Sequence, residues 1–252
     1  FQWQEKINSG NWTDIPGEVT TSITKSFTAA TPVGVYEYRL AVAETGNMGS
    51  AQCRINSPLL TVMINATPVT TATNNGPVCA GTTASLTATG GSQYSWIGPN
   101  GYTASGSPAP VTNIQMNQAG KYYVVVTNAA GCVNTDSTVL AVNPSPVATT
   151  TFTNASVCIG DSIQFTAAGG PGYIWTPATG LSNDTIYNPK ASPAAATLYS
   201  VVVSNSFSCT DTAEIMLEVI PETVVDAGPD RIMLEGQSIR LSASVSGQGN
   251  NY

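Results

Sequence analysis

Val78-Cys79-Ala80-Gly81, followed by Tyr94-Ser95-Trp96, Tyr122-Tyr123-Val124-Val125-Val126 and Gly131-Cys132, is the string on which the reading of the fold turns. It returns as Val157-Cys158-Ile159-Gly160, Tyr173-Ile174-Trp175, Tyr199-Ser200-Val201-Val202-Val203 and Ser208-Cys209. Cysteine and tryptophan lie 17 residues apart in both copies, and the copies are offset by 79 residues at the tryptophan and 77 at the closing cysteine. Landmarks that keep one offset over such a span mark an internal repeat.

The repeat extends in both directions. Upstream, Phe1-Gln2-Trp3-Gln4 alternates large and polar side chains as a half-buried strand does, with Trp3 in the place of Trp96 and Trp175. Further strands are expected at 36–42 and 59–64, and Cys53 stands where Cys132 and Cys209 stand. The first strands and the Val-Cys-x-Gly have no counterpart there, so the front of this copy, with the partner of Cys53, is expected upstream of residue 1. Downstream, Leu234-Glu235-Gly236 matches Val-Cys-x-Gly without the cysteine, and Gly160 to Gly236 is 76 residues, again the period. Tyr252 falls near the place of Tyr94 and Tyr173. Pro144-Ser145-Pro146 and Pro221 punctuate the joints, and so short a proline-rich joint holds neighbours close. The expected domains are 1–65 (a back part), 66–143 and 144–220 (both complete) and 221–252 (a front part).

Within 66–143, strands are expected at 69–73, 84–89, 93–97, 111–116, 121–127 and 133–142; within 144–220, at 162–167, 173–176, 197–204 and 213–219. Some seven short strands and no helix in each copy make an all-β chain of antiparallel two-sheet sandwiches. Trp3, Trp96 and Trp175 are then core plugs, each burying roughly 150–250 Å². Their period ties them to the fold and away from ligand stacking.

Composition narrows the function classes. Charged residues make up 9% of the 252, about a third of the usual share, so the polar surface must come from Thr, Ser, Asn and Gly. A net charge of −7 with eight basic residues argues against nucleic acid, which needs clustered Lys and Arg. No apolar run approaches the ~18 residues of a membrane span, so no membrane insertion is expected in this segment. Five cysteines without a C-x-x-C spacing and without any histidine read as disulfides formed in an oxidising, extracellular compartment.

Val-Cys-x-Gly, Tyr-x-Trp, Thr-x-x-Tyr-x-Val-x-Val and a closing Gly-Cys before a Thr/Asp-rich strand resemble the immunoglobulin-like and PKD-like tandem repeats of giant Bacteroidota secreted surface proteins. Val225-Asp226-Ala227-Gly228-Pro229-Asp230 and Trp175-Thr176-Pro177-Ala178-Thr179-Gly180-Leu181-Ser182 resemble the PKD-like type. Phe1-Gln2-Trp3-Gln4 with Trp12-Thr13-Asp14-Ile15-Pro16-Gly17 resembles the immunoglobulin-like type. Ser208 departs from the pattern by replacing Gly before Cys209, and the fourth copy lacks the first cysteine. The resemblance implies tandem immunoglobulin-like sandwiches in a linear array, of the kind found in gliding adhesins, in stalks and beside catalytic domains of type IX-exported proteins. It also implies O-glycosylation at Asp-Ser/Thr-apolar sites, with Ser137, Ser162, Thr185 and Thr212 as candidates. Asn11, Asn65, Asn154 and Asn183 head N-x-Ser/Thr sequons, which matter only in a host with N-linked transfer.

Equipment for catalysis is absent from the pattern. No histidine means no Ser-His or Cys-His pair, and the carboxylates scatter over expected turns, so no catalytic residue and no cofactor is assigned. Asp226 and Asp230 read as solvated turn residues and not as a calcium site, which needs six to eight oxygens. Trp12, Tyr102, Tyr187 and Phe207 fall near expected turns, where a glycan-binding sandwich would display them.

Two disulfide patterns are open. Counting pairs cysteines within repeats, Cys79–Cys132 and Cys158–Cys209, so that each repeat can fold alone. A loop of 54 residues would then remove roughly 4 kcal/mol of chain entropy. Strand topology offers the other. If the strands run up and down in order, the two cysteines of a repeat lie a strand apart, about 20 Å. Cys79 then meets Cys209 across 144–146, Cys132 pairs upstream of residue 1, and Cys158 pairs beyond Tyr252. The within-repeat pattern is the first expectation.

The sequence thus reads as a stalk or spacer segment of a long extracellular, cell-surface adhesin or fibre, well over 100 Å long, whose partners are neighbouring repeats of the same chain. The alternatives are a carbohydrate-binding module, with surface glycans as partners, and a self-assembling filament subunit in which 222–252 of one chain donates strands to 1–64 of the next.

Overall fold

Period-two burial runs through the long strands. In Thr197–Ser204 the side chains of Tyr199, Val201 and Val203 are buried while their neighbours are not, and Gly120–Thr127 repeats this with Tyr122, Val124 and Val126. Alternation of this kind buries one face of a sheet and leaves the other to solvent. A computed structural model describes residues 1–50 and 52–246. The described chain is all-β, with two short 3₁₀ turns and no α-helix among the described residues. Its strands form tandem immunoglobulin-like antiparallel β-sandwiches. The chain divides into two compact units, one of residues 1–74, 85–110 and 120–139, the other of 75–84, 111–119 and 140 onward.

In the first unit, Gln2–Ile7 pairs antiparallel with Thr13–Asp14 on one side and Gly34–Ala43 on the other, and Gly34–Ala43 also pairs with Arg54–Asn56 and Leu60–Ile64. One face carries Trp3, Tyr36 and Tyr38. An irregular segment covers it: Trp3 Nε1 donates to the Thr20 carbonyl, Phe27 packs edge-on against Tyr36, and Lys25 lies over the Tyr38 ring. Trp3 was expected to be a core plug and is only half-buried, because a loop and not a facing sheet lies against it. On the other face, Gln4 is buried and satisfied, its Nε2 donating to Asp14 Oδ1 and its Oε1 accepting from Arg39 Nε.

The same unit holds, apart from the end residues Leu140 and Ala84, the four-stranded sheet Thr103–Ser105, Gln93–Ile97, Gly120–Thr127 and Val133–Leu140, and the strands Thr71–Asn74 and Ala84–Thr89. Trp96 is fully buried, and its Nε1 donates to the Gly106 carbonyl. A strand expected at 111–116 is instead Ala109–Val111. Asn113 takes a left-handed φ of 48° and turns the chain into the 3₁₀ turn Met116–Gln118.

In the second unit, Gly172–Thr176, Thr197–Ser204 and Thr210–Ile220 form a sheet that Asn154–Cys158 joins in parallel, while Thr149–Thr150 pairs with Ala167–Ala168. The chain thus changes sheets between Thr150 and Asn154, and the Val-Cys-x-Gly motif ends a parallel strand. Trp175 stacks on Phe165 at 5.5 Å, with Tyr199 edge-on to the same ring. All three are fully buried, which for the tryptophan alone contributes roughly 4–6 kcal/mol of apolar transfer energy as an upper bound.

Beyond Pro221, Val224–Asp226 pairs with Ser244–Ser246. Gln237 N donates to the Leu234 carbonyl beside Gly236 at φ +84°, which matches Thr82 N to the Cys79 carbonyl beside Gly81 at φ +85°. Leu234 therefore stands in the cysteine's place. Tyr252 lies outside the described residues.

Candidate functional site at the 144–146 joint

The site is built from two local devices. The first is a turn. Val78–Cys79 pairs parallel with Val142–Asn143, Ala80 N donates to the Asn143 carbonyl, and Thr82 N closes the turn on the Cys79 carbonyl. The second is a hairpin. Asn205 Oδ1 accepts from the backbone N–H of Phe207 and of Cys209, an Asx arrangement that a short amide side chain makes readily. Its Nδ2 donates to the Pro144 carbonyl at 2.7 Å, and Ser145 Oγ donates to the Ala80 carbonyl at 2.7 Å. Hairpin and turn thereby grip the joint from both sides.

A disulfide between Cys79 and Cys209 closes the grip, with Cα atoms 5.7 Å apart. It is the bond of the second open pattern and corrects the first expectation: neither Cys79–Cys132 nor Cys158–Cys209 is formed, and within this chain Cys53, Cys132 and Cys158 are unbonded. Strand length is the reason. Cys158 is the register partner of Ile220, and Cys209 precedes the other end of the 11-residue strand Thr210–Ile220. At about 3.3 Å per residue the two cysteines of this repeat are roughly 35 Å apart, far beyond disulfide reach. Eleven residues likewise separate Cys132 from Asn143, the register partner of Cys79.

A shallow cleft of about 410 Å³ lies beside the bond, lined by turn backbone with Thr82, Ser145, Pro146, Thr210 and Asp211. Its one carboxylate is committed, Asp211 Oδ2 accepting from Ala148 N at 2.8 Å. Among the described residues, no group of three or more His, Cys, Asp or Glu is placed to hold a metal. No helix among them is long and apolar enough to cross a membrane.

The other sequence candidates lie in separate places. Ser162, Thr185 and Thr212 are exposed, and Ser137 is half-buried in Val133–Leu140. Thr185 Oγ1 donates to Asn183 Oδ1. Trp12 sits under Arg39 and Lys6, Tyr102 packs edge-on against Tyr122 and donates to the Pro110 carbonyl, Tyr187 leans on Tyr173, and Phe207 caps the exposed hairpin tip. Asp226 Oδ1 accepts from Gly228 N as a turn residue, and Asp230 is exposed. The residues that sequence reasoning missed are Asn205, its counterpart Asn128, and Ser145. Asparagine four residues before the closing cysteine in both copies was the available signal.

Residues 66–146 match the family model described as an Ig-like domain, CHU_C associated. No curated protein sequence matches the chain. Among solved structures, the three N-terminal domains of the bacteriophage RB49 outer capsid protein Hoc are 14% identical over 73% of this chain and 70% of that one, with a TM-score of 0.31. The N-terminal eight Ig domains of the Down syndrome cell adhesion molecule are 14% identical over 89% of this chain and 34% of that one, at 0.42. Titin domains I67–I69 are 15% identical over 68% and 72%, at 0.33.

Proposed function

We propose that this chain is a load-bearing stalk or spacer segment of a long extracellular, cell-surface adhesin or fibre, without enzymatic activity, whose partners are neighbouring repeats of the same polypeptide. The observation that carries the reading is the Cys79–Cys209 bond over a joint already held by Asn205 and Ser145. A pull along the chain passes from residue 79 to residue 209 through sulfur, so the joint is not drawn out. A fixture that shortens the load path across a joint suits a spacer. We read the domains as 1–65, 66–143, 144–220 and 221–252, supported by the family match over 66–146 and by the repeated turn at Leu234-Glu235-Gly236.

The same reading places O-linked sugar at Ser162, Thr185 and Thr212, whose exposure supports it, and at Ser137. Sugar there supplies hydration that a chain with 9% charged residues lacks. Glycopeptide mapping of natively produced protein is expected to find these sites occupied, and four bare sites would end the idea.

The functional test is replacement. In the native surface protein, this segment is exchanged for unrelated tandem sandwiches of equal length. Retained adhesion or fibre formation is the expected outcome. Loss of function with normal surface display would overturn the stalk reading. Saturable binding of the isolated chain on a glycan array would replace it with the carbohydrate-binding one.

A further inference from the structure

Cys158 ends a strand built like that of Cys79. Each cysteine closes a strand that runs parallel to the last strand of its own repeat, opposite Ile220 and Asn143 respectively. The next N–H donates to that partner's carbonyl, Ile159 to Ile220 at 2.9 Å and Ala80 to Asn143 at 2.8 Å. Asp161 N returns to the Cys158 carbonyl at 3.0 Å as Thr82 N returns to that of Cys79 at 3.2 Å, and Gly160 and Gly81 have φ of +88° and +85°. A proline follows the partner in both cases, Pro221 and Pro144.

The hairpin half is duplicated as closely. Asn128 Oδ1 accepts from Ala130 N and Cys132 N, each at 3.0 Å, and Asn128 Nδ2 donates to the Ala66 carbonyl at 2.9 Å, as Asn205 does to Pro144. Gly131 and Ser208 both take left-handed φ, +81° and +62°. In the described chain one turn and one hairpin are joined by sulfur, while a second turn and a second hairpin of the same construction carry free thiols.

We propose that Cys158 is a second staple site, which takes as a disulfide the cysteine of an Asn-x-x-Gly/Ser-Cys hairpin on a further sandwich repeat of this kind. Cys132 is the complementary half, offered to the Val-Cys-x-Gly turn of another repeat. The inference deepens the stalk reading and rests on it for the presence of further repeats. The rule is directional: turn cysteine of one repeat to hairpin cysteine of the next, never turn to hairpin within one repeat. The fourth turn, with Leu234 in the cysteine's place, ends the series at that joint. The chemistry is two thiols plus one small-molecule or protein disulfide giving the staple and two thiols of the reductant product. Each cysteine loses one proton and one electron, and the oxidant's sulfur–sulfur bond takes both electrons and both protons.

The test keeps the full chain and duplicates residues 144–220 after Ile220, with Phe207→Tyr in the second copy as a mass tag. After folding in oxidised and reduced glutathione, non-reducing peptide mapping is expected to find Cys158 of the first copy bonded to Cys209 of the second. Its alkylation by iodoacetamide should fall at least tenfold against the unduplicated chain. Cys158 still alkylatable beside a folded second copy, or bonded to Cys209 of its own repeat, overturns the proposal. Should the duplicated chain not fold, Cys79→Ser in the original chain tests the direction rule. Cys209 is then expected to stay unbonded to Cys158, and a Cys158–Cys209 peptide overturns it. Failure here leaves the replacement test of the stalk untouched, since a stalk does not require a staple at every joint.

Discussion

Trp3 and Trp175 hold the same position in equivalent strands, Trp3 opposite Leu40 and Trp175 opposite Val201, yet Trp175 is sealed and Trp3 is half-buried. Pairing is therefore a local property of the strands, whereas burial depends on what lies across the sheet. Around Trp175 the cover is an apolar layer with Phe165 stacked on the indole. Over Trp3 the cover is a loop held by the Thr20 carbonyl and by Lys25, whose Nζ also pairs with Glu5. Polar groups are poorly served under such a loop. The Tyr38 hydroxyl is buried with no hydrogen-bond partner of good geometry, and burial first, then the neighbouring Glu5, raises its pKa.

The sharpest way to break this comparison is to remove both rings. Trp175→Ala is expected to cost about 3–5 kcal/mol, and Trp3→Ala about 1 kcal/mol. Hydrogen exchange resolved by peptide reads the regions separately. Thr197–Ser204 should open at least a hundredfold more often in the first variant, and Gly34–Ala43 no more than about tenfold more often in the second. Equal losses would mean that the loop seals Trp3 as well as a sheet would.

A smaller effect is expected from the backbone. A Cβ on Gly169, at φ +129°, would lie 2.3 Å from the Val147 carbonyl oxygen. Gly169→Ala should cost about 2–3 kcal/mol, felt in the strands around Trp175 and absent from those around Trp3. Exchange that changes equally in both regions would refute that assignment.

Alkali offers a third route. Burial raises the pKa of Tyr199, whose hydroxyl donates to the Thr179 carbonyl at 2.8 Å, and burial raises that of Tyr122. The folded state then holds protons that the unfolded chain releases above pH about 10. Stability is thus constant with respect to these groups below that pH and falls above it. Tyr199→Phe should lose about 1 kcal/mol at neutral pH, with the hydrogen bond, and part of the alkaline slope. An unchanged slope in absorbance-monitored titration would show that Tyr199 does not contribute to it.

The least effect belongs to the hairpin. Ser208 sits at φ +62° where the other copy has Gly131. Ser208→Gly is expected to stabilise by a few tenths to about 1 kcal/mol in thermal unfolding, and a loss would show that the serine serves the joint.

The repeat, the all-β class and the burial of Trp96 and Trp175 were legible because alternation and period are properties of neighbouring residues. Trp3 was misjudged because its strand carries no trace of what faces it. The disulfide stayed open for a related reason. The Cys158–Cys209 separation that rules out the within-repeat bond depends on Asn154–Cys158 pairing in parallel with the far end of Thr210–Ile220, a contact about 60 residues apart in sequence. Asn128 and Asn205 carry no signal of their own in a chain so rich in asparagine, although their shared offset from the cysteines was visible.

The Cys79–Cys209 bond encloses a loop with a sequence separation of 130, roughly 5 kcal/mol of closure entropy by the chain model. Within it, Lys121 and Lys190 are the only basic residues, and both are exposed. A trypsin-like protease that cuts after either leaves two pieces that are still one molecule, since the ends on both sides of the cut remain tied through sulfur. Outside the loop, a single cut severs the chain. Covalent continuity over this half of the protein is thus kept by two routes, and a secreted peptidase must break both.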